Sequence, residues 1–286
     1  MIRQHSFENE MPTLYLVPTP IGNLNEMSPR AIEVLKSVDV IACEDTRTSG
    51  QLLKHFEIHS RLIAYHNFNE ESSAKGILSL LEDGKDIALI SDAGYPLIND
   101  PGQKVVSLCS EAGYNVVPVS GPSAFLNAIV ASGLIVQPFI FIGFLPQQHS
   151  DRVKKLKEYQ AYPMTMVFYE APHRITACLT DCLDVFGDRQ MVLARELTKK
   201  HEEFLRGTIQ EMIEIAPTLK GEMVIVIDGC KEENKPALDM GSIMDMVNAS
   251  IEAGLSTKDA IKEVSSKTGI SKNKIYDEYH RFLGDC

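Results

Sequence analysis

The amino-acid sequence predicts an α/β protein with two sheet-containing domains and a small helical domain at its C-terminal end. Short apolar runs alternate with amphipathic helical patterns through the first half, which is typical of a parallel sheet covered on both faces. The second half continues with apolar runs but has fewer helices between them, which favours a mixed sheet. A charged segment over residues 231–236 precedes residues 237–286, whose patterns are all helical.

Five apolar runs, each followed by a loop and a helix, form the predicted parallel sheet of an N-terminal domain over residues 1–135. The first helix begins at Ser28, a favourable N-cap residue followed by Pro29 at the first helical position. The predicted strands are 14–17, 38–43, 61–65, 87–90 and 116–119. The later predicted helices pass through Leu52 and Leu53 and then cover 73–81, 104–111 and 123–131.

A second α/β domain is predicted over residues 136–230. Only one of its connections is a helix between strands of clearly parallel type, so we expect a mixed sheet. Its predicted strands are 139–144, 165–169, 191–194, 203–206 and 222–228. Its predicted helices are a basic one at 151–159 and another at 175–186.

The helical domain over residues 237–286 has a spacing typical of a helix-turn-helix. The small residue Ser265 is followed four positions later by Gly269 and then by Ile275, with Val264 and Ile270 as apolar neighbours. Residues 256–283 contain six Lys or Arg and four Asp or Glu, so this domain is only mildly basic. A nucleic-acid contact and a three-helix packing appendage are both compatible with the pattern.

The formal net charge of −11 argues against non-specific binding to nucleic acid, so such a partner needs a local basic patch. The acidity is concentrated in residues 1–120, which hold 16 acidic and nine basic side chains. The remaining residues are close to balance. The N-terminal domain is therefore suited to a cation, and nucleic acid is expected to contact the later part of the chain.

We expect a cytoplasmic protein. Residues 1–11 carry charged side chains and lack the apolar core of a signal peptide. Residues 112–150 contain no Asp, Glu, Lys or Arg, but four prolines interrupt them, so they are predicted to form strand, loop, helix and strand rather than a membrane span.

The six cysteines are too few for a disulfide framework. Cys178 and Cys182 have the i,i+4 spacing of half a metal site, with His173 nearby, but no second Cys/His pair has ligand spacing. Buried free thiols are therefore the better interpretation, and no metal is predicted.

Four loops follow the carboxyl ends of the predicted parallel strands, where open α/β sheets bind ligands. They are 19–24, 44–47, 91–96 with 100–102, and 120–124. Together they predict a pocket. The sequence lacks the Gly-x-Gly-x-x-Gly fingerprint, the phosphate loop, the Gly-x-Ser-x-Gly elbow and the His-Glu-x-x-His motif. These absences argue against the common dinucleotide-binding, nucleotide-triphosphate-binding, hydrolase and zinc-protease classes.

Seven motifs in order give the sequence a resemblance to the tetrapyrrole-methylase superfamily. They are Thr19–Leu24, Glu44–Arg47, Ser91–Gly94, Gly121–Ala124, Gly143–Pro146, Phe168–Arg174 and Arg195–Lys199. Within that superfamily the chain most resembles the branch that methylates ribose 2′-hydroxyls in small-subunit ribosomal RNA. The resemblance covers about residues 14–229, and the last helices are similar to that branch's extra C-terminal domain. Tyr95 departs from the pattern, since a small residue such as Thr is expected there.

This resemblance implies a two-domain tetrapyrrole-methylase-like fold, S-adenosylmethionine (S-adenosyl-L-methionine) in the cleft between the domains, a homodimer, and 2′-O-methylation of a decoding-region cytidine in 16S rRNA. Glycine-rich turns let backbone groups approach the donor, and an acidic rim near Glu44 and Asp92 favours its positive charge. The candidate cofactor-binding residues are Pro20, Gly22, Asn23, Ser91, Asp92, Ala93, Gly94, Gly121, Pro122, Ser123, Ala124 and Tyr169.

The candidate catalytic residues are Glu170, His173, Arg174, Glu44, Arg195 and Lys199. A ribose hydroxyl is a poor nucleophile at neutral pH and benefits from a base or a nearby positive charge. Glu170, His173 and the Glu44–Asp45 pair are candidate bases, and the cations are candidates for phosphate or transition-state contacts. Structural alternatives remain: a Glu170–Arg174 ion pair, a strand-end salt bridge at Arg195, and acids that compensate a helix dipole at Glu44.

The candidate RNA-binding residues are Arg152, Lys154, Lys155 and Lys157 on the basic helix, for which a solvated helix face is the alternative. Phe144, Phe168 and Tyr169 are candidates for stacking on bases. Two rival functions stay open. One is methylation of a tetrapyrrole or of a modified histidine of the diphthamide type. The other is a helix-turn-helix regulator with an α/β ligand sensor.

Overall fold

A computed structural model describes residues 1–6, 8–65, 70–231, 240–268 and 270–284, with side chains to residue 281 in the last helix. Contacts within the chain divide it into two compact units, Met1–Cys230 and Lys231–Cys286. Both sheets lie in the first unit. Most of the predicted charged linker, residues 232–236, lies outside the described residues, and so does Gly269 of the helix-turn-helix pattern.

The first sheet is entirely parallel, as its continuously apolar strands predict. Its strands are β1 (Thr13–Val17), β2 (Val40–Cys43), β3 (Arg61–Ala64), β4 (Ile87–Ile90) and β5 (Asn115–Pro118), in the order β3-β2-β4-β1-β5. Its helices are α1 (Pro29–Ser37), α2 (Thr46–His55), α3 (Glu70–Glu82), α4 (Gln103–Glu111) and α5 (Ala124–Val130).

Both faces of this sheet are buried. Ile41 and Cys43 of β2 pack toward α1 and α2, whereas Val40 and Ala42 pack toward α3 and α4. This alternation follows from the two-residue period of a strand. Because all five strands are parallel, the loops after β1, β2, β4 and β5 lie at one edge of the sheet.

The second sheet is mixed, as predicted. Its strands are β6 (Phe139–Phe144), β7 (Thr165–Glu170), β8 (Gln190–Arg195), β9 (Glu203–Thr208) and β10 (Met223–Ile227), in the order β6-β7-β10-β8-β9. β6 and β7 are parallel, and β10 is antiparallel to both β7 and β8. One face packs on α6 (His149–Tyr159), α7 (Ile175–Phe186) and α8 (Ile209–Ile215). The sequence analysis missed α8, whose capping box joins Thr208 and Glu211.

Helix α5 links the two sheets. Its buried Ala128 and Ile129 pack on the other face of the second sheet, against Val167, Val224 and Val226. The uncharged stretch of residues 112–150 thus forms β5, α5 and β6. Within the residues described, no helix has both the length and the apolarity that crossing a membrane requires.

The second unit contains α9 (Met240–Glu252), α10 (Thr257–Thr268) and α11 (Lys272–Gly284). Ile243, Val247, Ile261, Val264 and Ile275 form its buried core. The Ser265 hydroxyl donates to the Ile270 carbonyl at 2.7 Å, and the helix-turn-helix character of this unit stays a prediction.

Candidate active site

Hydrogen bonds tie together the loops that follow β1 and β4. Thr19 and Gly94 exchange two backbone hydrogen bonds of 2.9 Å, and the Thr19 hydroxyl donates to the Ser91 carbonyl at 3.0 Å. The Ser91 hydroxyl in turn donates to the Gly94 carbonyl at 2.7 Å. The rim of the first sheet is therefore a connected backbone surface rather than a set of independent turns.

Tyr95 extends this connection to the loop after β5, because its hydroxyl accepts a hydrogen bond from the Gly121 N–H at 3.0 Å. Tyr95 also lines the main cavity. A threonine side chain is too short to make this contact from the same position. The departure from the expected residue therefore has a structural role.

A cavity of about 430 Å³ lies between the rim of the first sheet and the ends of β7 and β10. Six predicted cofactor-binding residues line it: Asp92, Ala93, Gly94, Ser123, Ala124 and Tyr169. The predicted catalytic residues Glu170 and Lys199 also line it. Its volume is within the range of about 300–1,000 Å³ that is usual for small-molecule sites.

Sequence reasoning missed several cavity-lining residues, among them Asn99, Asp100, Phe125, Glu196, Leu197, Glu222 and Met223. Asp100 belongs to a loop that the sequence had marked, so its position gave some signal. Phe125, Leu197 and Met223 are ordinary apolar residues, and only the tertiary packing brings them to the cavity.

The cavity favours a positive charge near Asp100. Burial raises the pKa of the Asp100 carboxyl to about 6, and the negative charges of Glu44 and Asp92 add to the effect. These three carboxyl groups come from the loops after β2 and β4. A bound cation would relieve their mutual repulsion.

The remaining predicted cofactor-binding residues lie beside the cavity or hold its loops. Pro20, Gly22 and Ser91 line a neighbouring hollow that shares Asp92 with the main cavity. The Asn23 side chain accepts from the Asn25 N–H and caps a short 3-10 turn. Gly121 and Pro122 form the loop that Tyr95 contacts.

Lys199 reaches the cavity from a strained turn after β8. Glu196 and Thr198 have φ angles of +50° and +68°, in the left-handed region where side chains are disfavoured. The Lys199 ammonium lies 3.1 Å from Glu196 and 3.6 Å from Glu222. Burial lowers the pKa of Lys199, but the hydrogen bond to Glu196 and the charge of Glu222 outweigh it, so the pKa is raised and the amine stays protonated.

A second depression, called the outer cleft here, adjoins the cavity and has a volume of about 570 Å³. Its lining residues are Ile142, Phe144, Leu145, Pro146, Gln147, Lys155, Ala171, His173 and Arg174. Phe144 and Ala171 line both spaces. The exposed His173 thus lies in the outer cleft, while Lys199 lies in the cavity.

Glu170 and Arg174 form the structural pair that was one alternative in the sequence analysis. Glu170 is only 2% exposed, and its Oε1 lies 3.3 Å from Arg174 Nε and accepts from the Ala171 N–H at 2.8 Å. The Arg174 guanidinium donates to the Leu145 and Pro146 carbonyls at 2.8 and 3.2 Å. Arg174 is thus tied to the backbone of residues 145–146 where it lines the outer cleft.

Arg195 is likewise engaged in an ion pair, with Glu203 on the neighbouring strand β9, and donates to the Lys220 carbonyl at 3.3 Å. The strand-end salt bridge is therefore observed.

Asp45 caps α2 by accepting from the Arg47 N–H at 2.8 Å, and the Arg47 side chain holds the pKa of Asp45 at about 2.

The predicted RNA-binding set needs one correction. Lys154 and Lys157 are exposed, and Lys155 pairs with Glu158 at 2.7 Å. Arg152 is only 4% exposed because its guanidinium pairs with the buried Asp181 at 2.6 Å. Arg152 is thus unavailable to a phosphate.

The candidates for stacking on bases also differ in how exposed they are. Phe168 is completely buried in the core between the second sheet and its helices, so it is not a stacking surface. Tyr169 is partly buried, and burial raises the pKa of its hydroxyl to about 12.

The thiols of Cys178 and Cys182 are buried as predicted. The neighbouring Cys182 thiol and burial both raise the pKa of Cys178.

A family model described as tetrapyrrole (corrin/porphyrin) methylases matches residues 13–213. The chain belongs to the tetrapyrrole methylase family. As a member, this methylase is a methyltransferase, and its methyl donor is S-adenosylmethionine.

Curated relatives of this methylase align over almost their whole length. Ribosomal RNA small subunit methyltransferase I of Bacillus subtilis (strain 168) is 43% identical, with 97% of this chain and 98% of the relative covered. The protein of the same name from Escherichia coli O157:H7 is 44% identical, with 96% and 97% covered.

Solved structures of more distant proteins share the fold of this methylase. A cobalt precorrin-4 methyltransferase of cobalamin biosynthesis has a TM-score of 0.58 at 15% identity, over 77% of this chain and 95% of its own. Uroporphyrin-III-C-methyltransferase from Thermus thermophilus has a TM-score of 0.53 at 16% identity, over 77% and 93%. These likenesses bear out the predicted α/β fold.

The cavity of this methylase fits its donor. S-adenosylmethionine combines a sulfonium cation with an adenine, a ribose and an amino-acid tail. The raised pKa of Asp100 marks a place that lacks positive charge, and Phe125, Tyr169 and Leu197 supply apolar walls. Gly94 and Ala124 line the same rim.

Proposed function

We propose that this chain methylates the 2′-hydroxyl of a cytidine ribose in the decoding region of small-subunit ribosomal RNA. The supporting observation is the identity of 43–44% over almost the full length of relatives named ribosomal RNA small subunit methyltransferase I. The paired cavities agree with this proposal, since one favours a cationic donor and the other carries an exposed aromatic ring beside cations.

The donor, when bound, supplies a methyl group on a positively charged sulfur. In the proposed site, the carboxylates of Glu44, Asp92 and Asp100 favour that charge. Residues 1–135 and 136–230 are proposed to act as two domains that contribute opposite walls of the donor site, as the loops of the first sheet and the ends of β7 and β10 do.

Two side chains of the candidate catalytic set are proposed to act on the ribose hydroxyl. Lys199 lines the cavity and remains protonated, so its charge stabilises an oxygen that becomes negative as its proton leaves. His173 lies at the adjoining cleft and is the proposed proton acceptor, because a neutral imidazole has one ring nitrogen that accepts a proton. Glu170 is proposed to hold Arg174 rather than to accept the proton.

A homodimer is proposed from an exposed apolar surface on α5 and the segment after it. Leu126, Val130, Ile135 and Val136 are exposed large apolar side chains. They lie in the stretch of residues 112–150 that has no Asp, Glu, Lys or Arg. Apolar, charge-poor patches are typical of subunit interfaces. The cytoplasm is proposed as the compartment, since the proposed substrate is a ribosomal subunit or its RNA.

The decisive experiment incubates the pure protein with methyl-labelled donor and either small ribosomal subunits or protein-free small-subunit rRNA. Nucleoside analysis should find the label as 2′-O-methylcytidine. Lys199→Met should abolish most of the labelling, whereas Lys200→Met, at the exposed neighbouring position, should not. Label in neither RNA, or on a base instead of a ribose, would contradict the proposal.

A truncated variant that ends after residue 235 tests the rival regulator. An enzyme should keep its donor affinity without the last helices, because the donor cavity is built from the first unit. A regulator that depends on the helical domain should lose all nucleic-acid binding in the same variant. Methyl transfer by the full chain to RNA would exclude the regulator as the main function.

A further inference from the structure

Phe144 stands at the boundary between the donor cavity and the outer cleft and lines both. It is 56% exposed, and no other phenylalanine within the described ranges is similarly exposed. Its ring meets Tyr169 edge to face, with centroids 5.5 Å apart and an interplanar angle of 63°. One face of an aromatic ring is therefore left open beside the donor cavity.

The local backbone directs Phe144 outward. The register of β6 against β7 shifts between Phe141 and Gly143, which marks a bulge, and Gly143 has a φ of +76°. A β-carbon on Gly143 would lie 2.7 Å from the Asn99 Oδ1. Bulges next to functional sites re-aim a side chain, and this one changes which way the end of β6 faces.

Two arginines, the buried Arg152 and the partly buried Arg174, then contact the chain that follows. Arg174 donates to the carbonyls of Leu145 and Pro146, and Arg152 donates to those of Pro146 and Gln147 at 3.3 and 2.8 Å. Carboxylates hold both guanidinium groups, since Glu170 pairs with Arg174 and Asp181 with Arg152. Arg152 and Asp181 are both buried and hydrogen-bonded to each other, so this pair is a built support for the Pro146–Gln147 part of the segment.

We propose that the exposed face of Phe144 stacks on the base of the RNA nucleotide whose ribose is methylated. This inference rests on the proposed function. Unstacked bases of single-stranded RNA bind in this way to aromatic side chains. Lys155 lines the same cleft and offers positive charge to the adjoining phosphate. Arg152 and Arg174 are positioning residues that act through the backbone of the segment.

The other aromatic candidates do not offer such a surface. Phe168 is completely buried, and the Tyr169 ring is covered on two sides by Phe141 and Phe144. Phe144 also separates the two spaces. A base stacked on it in the outer cleft therefore leaves the attached ribose at the entrance of the cavity.

The test compares Phe144→Ala, Phe144→Leu and Phe144→Tyr in steady-state methyl transfer to whichever RNA substrate the wild type labels. Loss of the ring should raise KM for RNA by about 5- to 150-fold, the range of a single base–aromatic stacking contact. Phe144→Tyr should stay within about threefold of the wild type, because it keeps the ring. The melting midpoint should change little in all three, and the increase in KM for RNA should exceed any change in donor affinity, which is measured separately because Phe144 also lines the donor cavity.

Tyr162→Ala is a matched control. Tyr162 is 38% exposed and also forms an edge-to-face pair, with Tyr159 at 5.5 Å, but it precedes β7 at the end of that strand away from Phe144. Its KM for RNA should equal that of the wild type. If the wild type labels RNA and Phe144→Leu keeps the wild-type KM, the stacking role is refuted while the proposed function stands. If the wild type labels no RNA, the proposed function itself fails.

Discussion

Replacing Asp100 by Asn should stabilise the donor-free protein while weakening donor binding. The pKa of Asp100 is raised from 3.8 to about 6 by burial and by the charges of Glu44 and Asp92. A carboxyl whose pKa is higher in the folded protein contributes stability below its unfolded pKa. That contribution is lost as the pH rises through about 6.

The size of the effect follows from that difference in pKa. A difference of about 2 pH units corresponds to about 3 kcal/mol, and partial exposure of Asp100 reduces it to about 1–2 kcal/mol at pH 7. For a chain of this size the melting midpoint of Asp100→Asn should rise by about 2–5 °C at pH 7 and be unchanged near pH 4. Asp83→Asn, an exposed acid just after α3, should show no such shift.

Donor binding should change in the opposite direction. A sulfonium cation favours the ionised carboxylate, so the wild-type affinity should fall about tenfold between pH 7 and pH 5 as Asp100 takes up a proton. In Asp100→Asn the affinity at pH 7 should already be about tenfold lower and should depend little on pH. Titration calorimetry at several pH values measures the donor affinity of the wild type and of Asp100→Asn. An affinity of the wild type that is constant from pH 5 to pH 7 would refute the reasoning.

Three further predictions concern the supports of the site. Gly143→Ala should cost about 1–3 kcal/mol of unfolding free energy in a denaturant titration, because alanine disfavours a φ of +76° and its β-carbon would clash with Asn99. Asp181→Asn should cost about 3–5 kcal/mol because it leaves Arg152 buried without a charge partner, and a loss below 1 kcal/mol would contradict that account. Lys199→Met should lower kcat by about 10²- to 10³-fold with a smaller change in KM for RNA. A rise in KM of that size with an unchanged kcat would contradict this and show that Lys199 only helps to bind the RNA.

The order and type of most elements could be predicted from the sequence because they depend on local periodicity. Continuous apolar runs such as Ile87–Ile90 gave the parallel strands, and the Ser28–Pro29 pair gave the start of α1. Helix α3 begins at Glu70, earlier than the predicted residue 73, because acidic residues form its first turn. The short α8 was missed because seven residues carry too weak a periodic signal.

The site was only partly predictable. The motifs placed Asp92, Gly94 and Tyr169 at one cavity, since loops at the carboxyl edge of a parallel sheet must converge. The motifs did not show that Arg152 faces inward. On a basic helix each cation has a similar local sequence, and only the position of Asp181 on α7 makes this arginine a buried partner.

The sequence by itself determined the class of fold, the loops that carry the chemistry and the family of the chain, because these depend on residue type and spacing along the backbone. The tertiary structure alone decided which partner each charged residue has. Glu170 pairs with Arg174 and Arg195 with Glu203, whereas Lys199 pairs with Glu196 and Glu222 where it lines the cavity. The physical reason is that desolvation and charge pairing depend on neighbours that are distant in the sequence.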